Sequence, residues 1–224
     1  PATADQEEQG WYDSEPAGTP DIGEERWAYI PHNLLPHLKW LTEKNYTHVD
    51  HVDLKPKITD ARIFADNAGN PMDGDHPHGW GTILIGGMGL GGGTIEVLDD
   101  FGSGHESRLF GSAYFALDVT VPDRPRLLWE FTHPSLGFTT GYPCIARVEA
   151  QGGFTRPDDD NWFVIFGSGP TDYRGNSTQP ASLFVVNLKT GELVRIMGGE
   201  GPTGFTCSPV SVDANLDFNT DVIY

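Results

Sequence analysis

Trp80-Gly81-Thr82-Ile83-Leu84-Ile85-Gly86-Gly87 and Trp162-Phe163-Val164-Ile165-Phe166-Gly167-Ser168-Gly169 are two versions of one pattern: a tryptophan, a short apolar run and paired small residues. Each reads as a buried strand, because it is short, rich in β-branched and aromatic residues, and closed by glycine. Each also has the same neighbours. Lys57-Ile58-Thr59-Asp60-Ala61-Arg62-Ile63 precedes the first, and Tyr114-Phe115-Ala116-Leu117-Asp118-Val119 and Leu127-Leu128-Trp129-Glu130-Phe131 follow it. Around the second stand Pro143-Cys144-Ile145-Ala146-Arg147-Val148, Leu183-Phe184-Val185-Val186-Asn187-Leu188 and Glu192-Leu193-Val194-Arg195-Ile196. A third unit opens at Pro209-Val210-Ser211-Val212-Asp213. Four antiparallel strands repeating at roughly 55 to 85 residues mark β-propeller blades, whose radial stacking leaves only short edges. A β-sandwich with inserts is the competing architecture, but it does not require the Trp and Asp/Asn landmarks to recur in phase. The expected fold is therefore all-β, a partial propeller of four-stranded blades.

Two blades cannot close a ring, since propellers need about four to eight. Residues 24–224 read as an incomplete propeller segment, with units at about 57–131 and 143–198 and a third starting near 207. Residues 1–23, acidic and rich in Pro and Gly, read as a linker or peripheral strap. Arg26-Trp27-Ala28-Tyr29-Ile30 reads as an aromatic strand ended by Pro31. Leu34, Leu38 and Leu41 recur at helical spacing, so one short helix is expected at about 34–44 with Asn33 as its N-cap. The chain opens at Pro1 without Met, and its half-built blades suggest an excised middle slice whose ring is completed by more of the parent or by another chain.

With 14 basic against 32 acidic residues the net charge is −18, which repels nucleic-acid phosphates and anionic lipid. No apolar run is long enough to span a membrane. Direct nucleic-acid binding and membrane insertion are both disfavoured. Cys144 and Cys207 allow one disulfide or two buried thiols.

The tail carries the clearest chemistry. In Asp213-Ala214-Asn215-Leu216-Asp217-Phe218-Asn219-Thr220-Asp221, oxygen-bearing side chains stand at positions 1, 3, 5, 7 and 9 of a tight loop after a strand. Calcium takes six to eight oxygens, and alternate residues of a curled loop can aim them at one centre. The expected ligands are the side chains of Asp213, Asn215, Asp217 and Asp221 with the backbone carbonyl of Asn219, and the expected cofactor is Ca2+. Two departures from the EF-hand stand out: Phe218 occupies position 6, where that loop has Gly, and Tyr224 occupies position 12, where it has Glu. A solvated Asx-rich turn is the alternative.

Other candidates are weaker. Gly87, Gly89 and Gly92 match G-x-G-x-x-G, but no helix pattern follows to hold a phosphate, so blade-turn glycines are expected. His76-Pro77-His78 beside Asp73 and Asp75 could bind a transition metal, with an exposed polar turn the preferred reading. Asp66-Asn67-Ala68-Gly69-Asn70 reads as a turn, and Asp118 and Asn187 as turn caps. Trp80, Trp129 and Trp162 read as packing between blades. No nucleophile stands in a catalytic context.

The chain resembles the PilY-type, type IV pilus tip-associated proteins in their C-terminal propeller domain. The likeness lies in Gly23-Glu24-Glu25-Arg26-Trp27-Ala28-Tyr29-Ile30-Pro31, the run from Trp80 to Gly93, Tyr114 to Thr120, Leu128-Trp129-Glu130-Phe131, Phe166-Gly167-Ser168-Gly169, and the stretch from Asp213 to Tyr224. It implies a modified seven-bladed propeller, a calcium site at 213–221, and a non-enzymatic role in pilus assembly, control of extension against retraction, and surface attachment. The implied location is extracellular, at the pilus tip or outer membrane. Implied partners are pilins or minor pilins, a chain that completes the propeller, and a host or abiotic surface. Residues 94–112 depart from the family and are expected to form a divergent surface loop. The strand usual before residue 23, the upstream von Willebrand-type domain and the later blades lie outside this sequence. Leu183 to Leu193 also resembles the blade repeat of quinoprotein dehydrogenases, which makes such an enzyme the alternative; a structural subunit of an extracellular filament is a third.

Overall fold

The computed structural model describes residues 24–66, 69–102, 104–148 and 161–224. The expected strap at 1–23 lies outside them. Among the described residues twelve strands follow in chain order. β1 (Lys57–Arg62), β2 (Trp80–Gly87), β5 (Tyr114–Asp118) and β6 (Arg126–Phe131) form one antiparallel sheet in the order β1-β2-β5-β6. β7 (Cys144–Arg147), β8 (Trp162–Gly167), β9 (Pro180–Asn187) and β10 (Leu193–Thr203) form a second, again antiparallel and again in chain order. β3 (Ile95–Asp100) pairs with β4 (His105–Phe110), and β11 (Ser211–Val212) with β12 (Val222–Ile223).

Alternation along the strands turns one face of each sheet toward the other, as a period of two demands. Ala61, Ile83, Ile85, Tyr114, Ala116, Trp129 and Phe131 of the first sheet meet Val164, Phe166, Phe184 and Val186 of the second in one buried cluster. The Tyr114 ring stacks on Phe166 at 4.0 Å, and Phe131 packs edge-on against Phe166 at 5.5 Å and Phe184 at 5.8 Å. Burial pushes the Tyr114 phenol up, and its hydroxyl donates to the Gly141 carbonyl at 2.6 Å. Trp129 Nε1 donates across the seam to the Leu188 carbonyl at 2.8 Å. Trp162 is buried, whereas Trp80 stays 43% exposed and meets the Trp162 ring edge-on at 6.0 Å. The phased tryptophans thus join the sheets. On its other face the second sheet buries Cys144, Ala146 and Ile165, with Ile223 of β12 packed against them.

Several expectations are corrected. Arg26–Ile30 joins no sheet. It runs extended and is held by side chains, with Trp27 Nε1 donating to the Pro122 carbonyl and Arg26 paired with Asp123. The helix is a 3₁₀ helix over His32–Thr42, two residues earlier than expected, with Pro31 rather than Asn33 at its cap. Asn33 is buried because its amide is needed elsewhere: Nδ2 donates to Glu130 Oε2 at 3.0 Å.

Residues 94–112 form not an open loop but the β3–β4 hairpin, where Asp100 Oδ1 accepts from the amides of Gly102 and Gly104 and so closes the turn. The two cysteines are unbridged, Cys144 buried and Cys207 exposed, so neither of the two cysteine expectations holds. Burial pushes the Cys144 thiol up. The Gly-rich run forms a tight turn that depends on glycine. Gly92 sits at φ +71°, and a Cβ on Gly91 would fall 1.8 Å from the His51 carbonyl oxygen. A strand, β3, follows it rather than a helix.

Candidate metal centre

β11 and β12 are short, with Ser211 opposite Ile223 and Val212 opposite Val222, and they clamp the ends of the 213–221 loop. Asp221 N donates to the Val212 carbonyl at 2.9 Å, and Thr220 N donates to the Arg147 carbonyl at 2.6 Å, tying the loop to β7. The sequence therefore places the acidic loop between strands, and the fold seats it on the second sheet.

Inside the loop Asp213 is the organiser. Its Oδ1 accepts from Leu216 N at 2.7 Å and Asp217 N at 3.2 Å, and its Oδ2 accepts from Phe218 N at 2.8 Å. Asn215 Oδ1 accepts from Asp217 N at 3.0 Å while its Nδ2 donates to Asp217 Oδ2 at 3.1 Å. Asp217 Oδ1 accepts from Asn219 N at 2.8 Å. At the neck, Asp221 Oδ2 accepts from Ala214 N at 2.8 Å. Asn219 is the one residue of the set that is buried, as suits a position offering its backbone rather than its side chain.

Leu216 and Phe218 both adopt left-handed backbone, at φ +63° and +70°, and each is 82% exposed. Position 6 of an EF-hand loop is Gly because the chain must turn left-handed there. Phe218 makes the same kind of turn at the same position, against its own steric preference. Phe218→Gly is expected to stabilise the protein by about 1 kcal/mol, since the strain goes and almost no buried surface is lost. Urea unfolding measures it, and a destabilised variant would contradict the reading.

Every donor in this loop is an oxygen, the chemistry a hard cation selects. The carboxylates point at loop amides, however, and among the described residues no three His, Cys, Asp or Glu side chains gather as a ready-made metal set. The residues fit calcium by type and spacing. Occupancy requires Asp213, Asp217 and Asp221 to turn toward a common centre.

The His76 turn differs from expectation. His76 is fully buried, its ring stacked on Phe64 at 3.7 Å, with Nδ1 2.7 Å from Asp73 Oδ1 and Nε2 3.0 Å from Asp118 Oδ2. Both ring nitrogens face carboxylate oxygens, so neither is open to a transition metal. The hydrogen bond with His76 holds the Asp73 carboxyl below its usual range. Asp118 also caps its turn as expected, accepting from Thr120 N at 3.0 Å, and Asn187 does so in the second sheet, accepting from Lys189 N and Thr190 N. Asp66, Gly69 and Asn70 close a turn, while Asn67 and Ala68 lie outside the described residues.

Glu130 was not singled out in the sequence. Its carboxylate accepts from the Tyr29 hydroxyl, from His32 N, and from both N and Nδ2 of Asn33, pinning the extended segment and the 3₁₀ helix to β6. Burial first, and Glu130 second, push the Tyr29 phenol up. Only its place in the Leu128-Trp129-Glu130-Phe131 stretch hinted at a role.

Two four-stranded antiparallel sheets sharing a core, followed by a hairpin with an oxygen-rich loop, define an all-β module. No family model matches the chain. It is 34% identical over 208 residues to a type IV pilus biogenesis factor PilY1 homolog of Xylella fastidiosa, covering 89% of this chain and 11% of that protein. With the type IV pilus biogenesis factor PilY1 of Pseudomonas aeruginosa it shares 30% identity over 211 residues, 90% of this chain and 14% of the other. The crystal structure of the P. aeruginosa PilY1 C-terminal domain matches with a TM-score of 0.56 and 26% identity, over 90% of this chain and 32% of that one. The chain is thus a relative of a segment of the PilY1 proteins, and it spans 11% to 14% of the length of these two relatives. Among the described residues no helix is long and apolar enough to cross a membrane.

Proposed function

We propose that this chain is a calcium-binding propeller module of a type IV pilus tip or biogenesis adhesin, acting without catalysis in pilus assembly, extension–retraction control and surface attachment. The observation that carries the calcium reading is the alternating set Asp213, Asn215, Asp217, Asn219 and Asp221, held on a strand-clamped loop that keeps a left-handed turn at position 6. Kinship with the PilY1 proteins supports the pilus role and a cell-surface location.

In this reading the two sheets are neighbouring blades, and the β11–β12 hairpin starts a third. Calcium neutralises the three carboxylates and orders the loop, and the ordered loop shifts the population of a partner-binding surface. The partners are pilins or minor pilins, or the chain that completes the ring. Isothermal titration of the intact protein is expected to give one calcium site with little response to magnesium, which demands tighter octahedral geometry. Absence of calcium uptake would overturn the metal reading and leave the pilus kinship intact.

A further inference from the structure

We propose that the cavity between the base of the β3–β4 hairpin and the 132–138 and 171–179 connections binds an uncharged carbohydrate. The cavity holds about 450 Å³ and is lined in part by Leu109, Phe110, Thr132, His133, Phe138 and Gln179. That volume lies within the range of small-molecule sites and suits about one or two sugar rings.

Among the described residues, fourteen line the cavity and none of them is Asp, Glu, Lys or Arg. In a chain that is 21% charged, an average wall of that size would carry about three charges. A site without countercharges penalises an ionic ligand, which would lose its hydration for nothing.

The polar groups that remain are neutral and complementary. Ser135 N donates to His133 Nδ1 at 3.1 Å, so the neutral ring carries its proton on Nε2 and offers a donor. Gln179 Nε2 donates to the Ser135 carbonyl at 2.7 Å, which leaves its Oε1 as an acceptor. Thr132 Oγ1 donates to the Ser112 carbonyl at 2.9 Å and keeps its lone pairs. A donor and acceptors beside Leu109, Phe110 and Phe138 match a ring with hydroxyls on its rim and C–H groups on its face.

The inference does not rest on the calcium loop or on the pilus reading. Its test is ¹H–¹⁵N spectroscopy of the full chain titrated with galactose, N-acetylglucosamine, glucuronate and a blocked alanine tripeptide. A neutral sugar is expected to shift the Gly93, Gly111 and Gly137 amides and the Gln179 side-chain amide saturably, with glucuronate at least about tenfold weaker. Gln179→Ala should weaken binding about tenfold, the loss of one hydrogen bond. Leu109→Asp, at a largely exposed position that keeps the fold, should do the same. No saturable response to either neutral sugar, equal binding of glucuronate, or binding of the tripeptide alone would each overturn the proposal.

Discussion

Asp213→Ala is expected to lower calcium affinity on the order of a hundredfold or more, the largest effect of any single change in the loop. Two losses coincide at this position. The variant gives up one of three carboxylates, and it also releases the amides of Leu216, Asp217 and Phe218 that Asp213 gathers. Those bonds bend the loop before any ion arrives. Asp217→Ala removes a carboxylate and the contacts with Asn215 and Asn219, so it should also weaken binding steeply, though by less than Asp213→Ala. Asn215→Ala keeps the charge balance and should cost less. Titration calorimetry of the three variants tests the order, with circular dichroism confirming that the sheets persist. Unchanged affinity in Asp217→Ala would refute the ligand assignment.

Trp129→Ala should destabilise the protein by about 3–5 kcal/mol, the range for deleting a buried aromatic from a packed core. The residue is 6% exposed, belongs to β6, and reaches the second sheet through the Leu188 carbonyl. The backbone of Gly191 also lies against its ring, where a Cβ would come within 2.5 Å of Trp129 Cγ. Trp129→Phe retains most of the packing and leaves the Leu188 carbonyl without this donor, so its cost should be about 1–2 kcal/mol. Urea denaturation followed by fluorescence and by circular dichroism measures both. Coincident transitions with those losses are expected if the sheets unfold as one unit. Separate transitions, or a loss under about 1 kcal/mol for the alanine variant, would show that the seam carries little of the stability.

The sequence by itself determined what depends on neighbours a few residues apart. Strands at 57–62, 80–87, 114–118, 126–131, 144–147 and 162–167 announce themselves by composition and period, and the structure places them within a residue or two of the expected bounds. The oxygen donors of the 213–221 loop are legible for the same reason: spacing i, i+2 is local chemistry, and the resulting hydrogen bonds span two to seven residues.

What only the tertiary structure decided involves partners far along the chain. His76 reads as surface until Asp118, forty-two residues on, supplies a buried carboxylate for its Nε2. Asn33 reads as a helix cap until Glu130, ninety-seven residues away, takes its amide. Arg26–Ile30 has strand composition yet pairs with no strand, because distant side chains hold it instead. The same holds for the loop acids, whose identity is written in the sequence while their direction is not. A carboxylate turns toward whichever amide or cation satisfies it, and the folded backbone alone settles which is in reach.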